Sequence, residues 1–403
     1  MQPSLLVLQA RHLVPVRRAI WATRAQFMVL GTLAGTWGAH IASVKTVYAL
    51  NDALLSLVLL GAAVGAVAML FLAGHLVGRL GARNTAAVAA VGMSLMLAFA
   101  LEHAGIAALV VSMLSFGAAM SLFDVAVNTE GSELESVSGR AVMSNLHGMF
   151  SVGGMVGATL VAALLNAGVA PRDQLFAICA SLGLMAVLAS RGMLKTQSDH
   201  GGGEPKAHFA WPRGLLLVLG LLIFAGMTAE GVMYDWSVLY LKQEIGMPQA
   251  RAALGYAAFS GAMALARFGG DWMRSRHSER SVLRWGASVS TVSMAAVLLS
   301  GNGSIALLGF ALAGAGLAPV APILFNAATR VPGVSRAAAI ASVTSIGYSG
   351  FMIGPPLIGS LATATSLTVA LGVVVVACAL LAFGSRYVPL NTQAARITDT
   401  DRI

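Results

Sequence analysis

"GLLLVLGLLIFAGMTAEGVMYDWSVLYL", residues 214–241, decides the fold. It is 28 residues long and holds two charges, Glu230 and Asp235. As a helix rising ~1.5 Å per residue it outruns the ~30 Å hydrocarbon core of a bilayer. A run of this length and apolarity is a membrane span, so the two carboxylates inside it have to be accounted for in lipid.

The rest of the chain has the same character. Of its 403 residues 57% are hydrophobic and 10% are charged, against about 25% charged in water-soluble domains. Apolar runs recur at 25–44, 53–73, 84–101, 106–127, 141–165, 174–190, 214–240, 250–271, 281–300, 304–328, 337–361 and 366–384. The expected fold class is therefore an all-α membrane protein of twelve transmembrane helices. An even number of spans puts both termini on one side. Of the 25 Lys and Arg, 21 fall on that side, and only Lys45, Arg172, Lys242 and Arg251 on the other. The positive-inside rule then places both termini in the cytoplasm. The net charge of +9 is thus a topology signal. It sits in short loops and forms no basic domain, so no nucleic-acid partner is expected; the partners are the lipid bilayer and a small solute.

Cys179 and Cys378 lie inside spans and imply no disulfide framework. The N-terminal "MQPSLLVLQARHLVPVRR" has neither the apolar run nor the small-residue cleavage site of a signal peptide. No GxxxxGK[ST] loop, Cys/His metal spacing or nucleophile elbow occurs, so neither ATP-driven pumping, a cofactor, a metal nor an enzyme is expected.

The chain also reads as a repeated half. "RGMLKTQSDHGGGEPKAHFAWPR", 191–213, is polar and glycine-rich, the composition of a linker. It divides a cytoplasmic segment 1–24 and a six-helix half 25–190 from a second half 214–385 and a tail 386–403. Trp37 matches Trp236 and Cys179 matches Cys378 at an offset of 199, Asn128 matches Asn326 at 198, and Gly153 and Gly157 match Gly350 and Gly354 at 197. Parallel six-helix repeats of this kind build secondary transporters, with substrate near the bilayer midplane.

Residues 74–83, "GHLVGRLGAR", resemble the signature between spans 2 and 3 of the major facilitator superfamily at Gly74, Leu76, Arg79, Gly81 and Arg83, with Gly78 where that family has Asp. The resemblance implies the family's two-half fold and a cytoplasmic gate at Arg79 and Arg83. "RFGGDWMRSR" offers Arg267, Asp271 and Arg274 as the second-half counterpart. "GTWGAHIASVK", "FDVAVNTEG", "NLHGMFSVGG" and "EGVMYDWSVLYL" are similar to the YbjJ/MosC-like branch, inner-membrane proteins that include one associated with rhizopine, an inositol-derived amine. That branch usually has Arg and Pro where this chain has His40 and Ala42. The resemblance implies a bacterial inner-membrane location and a sugar-like, amino-sugar or cyclitol-like solute. A monomer is expected.

An ionisable residue within a span costs about 2.5–3.5 kcal/mol and usually faces a bundle interior or a wet cavity. Glu230 is accordingly a candidate proton-coupling group, with a structural hydrogen bond to a neighbouring helix as the other reading. Asp235, five residues on, points about 140° away. With Trp236 and the repeat-equivalent Trp37 it is a candidate for substrate contact or an outer gate, against plain packing. In the first half, Asp124 and Asn128 share a helix face at i, i+4, and His147 lies at similar depth in span 5. A carboxylate beside a histidine gives a group that titrates near neutrality. Glu130, Glu133 and Glu135 read as solvated loop charges. His40, Tyr234, Asn326 and Tyr348 complete the candidate substrate set. Glycines at four-residue spacing in "GGMVGA" and "GYSGFMIGPPLIG" point to close helix approach, expected at the interface of the halves. Pro319 and Pro322 predict an irregular helix. The reading is a proton-coupled secondary transporter working by alternating access. Efflux of lipophilic or cationic drugs and a non-transporting membrane sensor stand as alternatives.

Overall fold

The computed structural model describes residues 5–195 and 212–389, with side chains from Val16 onward except at Asp271, Arg274 and Ala337. Most of the expected linker and the end of the expected tail lie outside the described residues. Every regular element among the described residues is helical: α1 (Leu5–Val47), α2 (Asp52–Leu80), α3 (Ala82–Ala98), α4 (Ile106–Ser138), α5 (Met143–Asn166), α6 (Pro171–Ser190), α7 (Leu215–Gln243), α8 (Gln249–Arg276), α9 (Glu279–Ser300), α10 (Gly303–Leu317), α11 (Val320–Ala328), α12 (Arg336–Ala364), α13 (Leu367–Ala370) and α14 (Gly372–Gly384), followed by a 3-10 turn at Ser385–Tyr387. Taking α10 with α11 and α13 with α14 as single spans, these make the twelve that composition predicts. Among the described residues nine spans are long and apolar enough to cross a bilayer on length and composition alone, and Ala82–Ala98 is apolar but shorter.

Helix ends differ from hydropathy ends for a physical reason. Hydropathy marks where hydrocarbon stops, whereas a helix stops where a cap ends it. α2 continues to Leu80, where Gly81 adopts φ 77°, and α4 continues to Ser138, where Gly139 adopts φ 63°. At the other ends Asn51, Ser278, Asn302, Ser335 and Ser366 each accept a backbone N–H of the first turn. The signature between α2 and α3, expected as a loop, is thus helical apart from Gly81. Large apolar side chains stay bare along the outer faces, such as Phe71 at 85% and Leu299 at 87% exposure, because hydrocarbon is their solvent.

The chain divides into two compact units, Met1–Gly203 with Pro248–Ala257, and Glu204–Met247 with Ala258–Ile403. In the first, α1 packs on α5 and α6, α2 on α4, and α3 on α4 and α6. In the second, α7 packs on α12, α14 and α11, and α9 on α10 and α14.

Glycine sets the closest of these contacts. A Cβ on Gly153 would lie 2.3 Å from the Met28 carbonyl oxygen and one on Gly157 2.3 Å from that of Thr32. In the second unit a Cβ on Gly350 would lie 2.7 Å from Thr228 Oγ1. These repeat-matched glycines, expected between the halves, instead seat span 5 on α1 and span 11 on α7, inside each half. The glycines matched between the halves pack within each half.

Glu130 and Glu135, expected as solvated loop charges, are overturned as such. Because α4 runs ten residues past the apolar stretch that ends near Asn128, both remain on the helix. Glu130 is fully buried. Glu135 Oε1 accepts the Val142 and Met143 N–H groups at 2.6 and 2.9 Å and so ties down the start of α5. Glu135→Ala is expected to cost about 1–2 kcal/mol, seen as a Tm about 2–4 °C lower per kcal/mol in a thermal melt. An unchanged Tm would show that water caps α5 equally well.

Candidate functional site

Two helical stripes in the second unit build the site. On α7, Glu230 and Tyr234 are i and i+4; on α8, Ser260, Met263 and Arg267 recur at spacings of three and four. Both patterns put their side chains on one helix face. The stripes meet. Arg267 Nη2 donates to Glu230 Oε1 at 3.3 Å, with the two side chains 17% and 16% exposed. The Tyr234 hydroxyl lies 3.4 Å from Met263 Sδ, its electrostatic neighbours are Glu230, Arg267 and Ser260, and its ring stands edge-on to Phe259 at 5.2 Å.

Chemically this is a carboxylate and a guanidinium in one loose contact, with a phenol, a serine hydroxyl and a thioether at their edge. Charged partners reduce the desolvation cost that a lone carboxylate would meet in a span. The arrangement offers both hydrogen-bond donors and acceptors. Arg267, assigned by resemblance to a cytoplasmic gate with Asp271 and Arg274, pairs with Glu230. The side chains of Asp271 and Arg274 lie outside the described ones.

Asp235 is half-buried and, as its angle from Glu230 requires, takes no part in this pair. Trp236 beside it is fully buried with its indole N–H unpartnered among the described residues. Tyr348 lies on α12 with its ring 6.4 Å from Phe351. Asn326 is drawn elsewhere: at the exposed end of α11 its Nδ2 donates to Glu279 Oε1 at 2.7 Å, and Arg330 pairs with Glu279 Oε2. The ion-paired cluster at that end of the second unit is Glu279, Arg330 and Asn326, formed from residues that sequence spacing does not join.

In the first unit Asn128 Nδ2 donates to Asp124 Oδ1 at 2.9 Å, so the i, i+4 pair forms. Asp124 makes no hydrogen bond to His147, whose ring instead packs edge-on against Phe27 at 5.4 Å. Trp37 is buried against Phe116, ring centroids 5.7 Å apart. His40 is fully buried, its Nδ1 3.2 Å from Ser43 Oγ, with Gln174 as its other polar neighbour. Ser43 Oγ also accepts from Gln249 Nε2 at 2.6 Å. Arg79 is exposed at the end of α2 and Arg83 half-buried in the first turn of α3; neither is in an ion pair among the described residues.

Ser260 and Met263 went unnoticed in the sequence because neither type is costly in a span. The signal that would have found them is their register with Arg267 on α8. Among the described residues no group of three or more His, Cys, Asp or Glu is placed to hold a metal.

Comparisons with known proteins agree with this architecture. The model of the Major Facilitator Superfamily matches residues 22–333. An uncharacterised MFS-type transporter of Yersinia pestis is 37% identical over 369 residues, covering 91% of this chain and 95% of the relative. Membrane protein MosC of Rhizobium meliloti is 31% identical over 374 residues, 90% of each chain. Among solved structures, a D-xylose–proton symporter superposes with a TM-score of 0.76 over 93% of this chain and 98% of its own, at 14% identity. The chain belongs to the major facilitator superfamily: it is a multi-pass membrane transporter and not an enzyme.

Proposed function

We propose that the protein carries a small polar organic solute, sugar-like, amino-sugar or cyclitol-like, across the bacterial inner membrane by proton-coupled alternating access. The observation that carries this reading is the Glu230–Arg267 pair with Tyr234 at its edge. It joins a group able to take up a proton to hydrogen-bonding groups suited to hydroxyls and amines, on two adjacent helices of one unit. Asp124 with Asn128, and His147 nearby in sequence, form the second candidate proton site; Trp37, His40, Asp235, Trp236 and Tyr348 remain candidates for substrate contact. The 21 to 4 division of basic residues supports cytoplasmic termini. The structural relative named as a D-xylose–proton symporter supports the polyol class. The protein works as a monomer in this reading.

Proteoliposomes test it. An inward pH gradient is expected to drive uptake of at least one labelled polyol, amino sugar or cyclitol above its external concentration, and a protonophore to abolish it. Accumulation of lipophilic cations alone would favour efflux, and no flux of any solute would favour a sensor.

A further inference from the structure

Glu130 is fully buried on α4. Its Oε1 accepts the Leu194 N–H at 2.7 Å, and its Oε2 is buried with no partner among the described residues. Leu194 lies just past α6, near the start of the expected linker 191–213. The residues before it are gripped too. A Cβ on Gly192 would lie 2.8 Å from the Ala22 Cβ on α1. Met193 is 3% exposed, and its Sδ is 3.8 Å from Gln26 Nε2, which also donates to the Ala186 carbonyl at 2.8 Å. Gln26 is fully buried as well, and its Oε1 has no partner.

Two buried oxygens, both acceptors, thus flank one three-residue segment and lack a donor. An ionised carboxylate with a bare oxygen in such a place is among the costliest groups a protein can bury. Protonation removes the charge and turns the bare anionic oxygen into a hydroxyl. Nearby charges do not stabilise an anion by contact: Leu194 is the one polar partner of Glu130 among the described residues. Glu133, its acidic neighbour one turn along α4, opposes a second negative charge. The cationic groups at this end of the surrounding elements are Arg17, Arg18 and Arg24 on α1, His75 and Arg79 on α2, Arg83 on α3, Arg140 before α5, His147 on α5, and Arg191 and Lys195 after α6. None of them forms an ion pair with it.

We propose that Glu130 is a proton-binding site whose neutral carboxyl clasps the chain at Leu194 and fixes its path just past α6. This proton is separate from the one assigned to Glu230, and the proposal stands whether or not transport is proton-coupled.

Two measurements on the full-length purified protein test it at neutral pH. The infrared band of protonated carboxyl groups is expected to lose intensity in Glu130→Gln. Trypsin cleavage after Lys195, the exposed residue next to Leu194, is expected to match the parent in Glu130→Gln, whose amide keeps an acceptor and supplies a permanent donor. In Glu130→Ala it is expected to be about tenfold faster, as opening becomes easier. An unchanged infrared band in Glu130→Gln would overturn the proposal, as would cleavage of Glu130→Gln as fast as Glu130→Ala, which would mean that the ionised form makes the clasp. Equal cleavage in all three proteins would also overturn it. If Glu130→Ala does not fold, the infrared band and the cleavage of Glu130→Gln decide alone.

Discussion

Removing one partner of the Glu230–Arg267 pair is expected to cost more than removing both. With the side chains only 16% and 17% exposed, Arg267→Leu leaves the Glu230 carboxylate without this cation and Glu230→Leu leaves the guanidinium without this anion. Each is expected to destabilise by up to about 3 kcal/mol, whereas the double substitution returns most of that loss, since paired apolar groups do well where a buried pair stood. A double-mutant cycle on thermal stability checks it; two single losses that simply add would mean that the residues are not coupled. Function separates from stability in Glu230→Gln, which keeps size and one acceptor for Arg267 but cannot titrate. It is expected to retain solute exchange between saturated compartments and to lose accumulation under a pH gradient. Accumulation like the parent's would move the coupling role to Asp124 and His147.

The second large effect is steric. A Cβ on Gly35 would sit 2.2 Å from the Gly154 carbonyl oxygen across the α1–α5 contact. The obstacle is backbone, so no side chain can turn aside, and Gly35→Val has to push the two helices apart. A loss above about 3 kcal/mol is expected, beyond the usual range for overpacked cores. Gly78→Ala is the opposite case. Nothing lies within 4 Å of its Cβ position, and the site is helical, so a gain of about 0.5–1 kcal/mol is expected. Size-exclusion profiles and melts of the two variants should diverge; a folded, parent-like Gly35→Val would show that α1 and α5 are not held this closely.

The twelve spans were legible because lipid admits few solutions: each backbone must bond to itself, so each long apolar run has to be a helix. The duplication was legible for a related reason, since residues such as Cys179 and Cys378 return to buried places at one offset. The partners of the polar residues were not. Glu230 and Arg267 are 37 residues apart on different helices, and only the rotation of α8 about its own axis makes them meet. Hydropathy gives the depth of a residue and says nothing of that rotation. The same blindness set Glu130 in solvent, because the apolar run ended before the helix did. His147 and Asp124 show the converse: equal depth on neighbouring spans gives no hydrogen bond between them among the described residues.

Gly81 is the whole of the connection between α2 and α3. Its φ of 77° turns the chain, its N–H closes α2 on the Val77 carbonyl at 2.8 Å, and its carbonyl accepts the Thr85 N–H to start α3. One residue spans at most about 3.6 Å, less than the ~5.4 Å of a helical turn. The joint therefore has no slack: α2 cannot slip a turn along α3, and a pull along either helix is transmitted to the other almost undiminished. In mechanical terms the pair is a stiff elbow, and the superfamily signature lies at it.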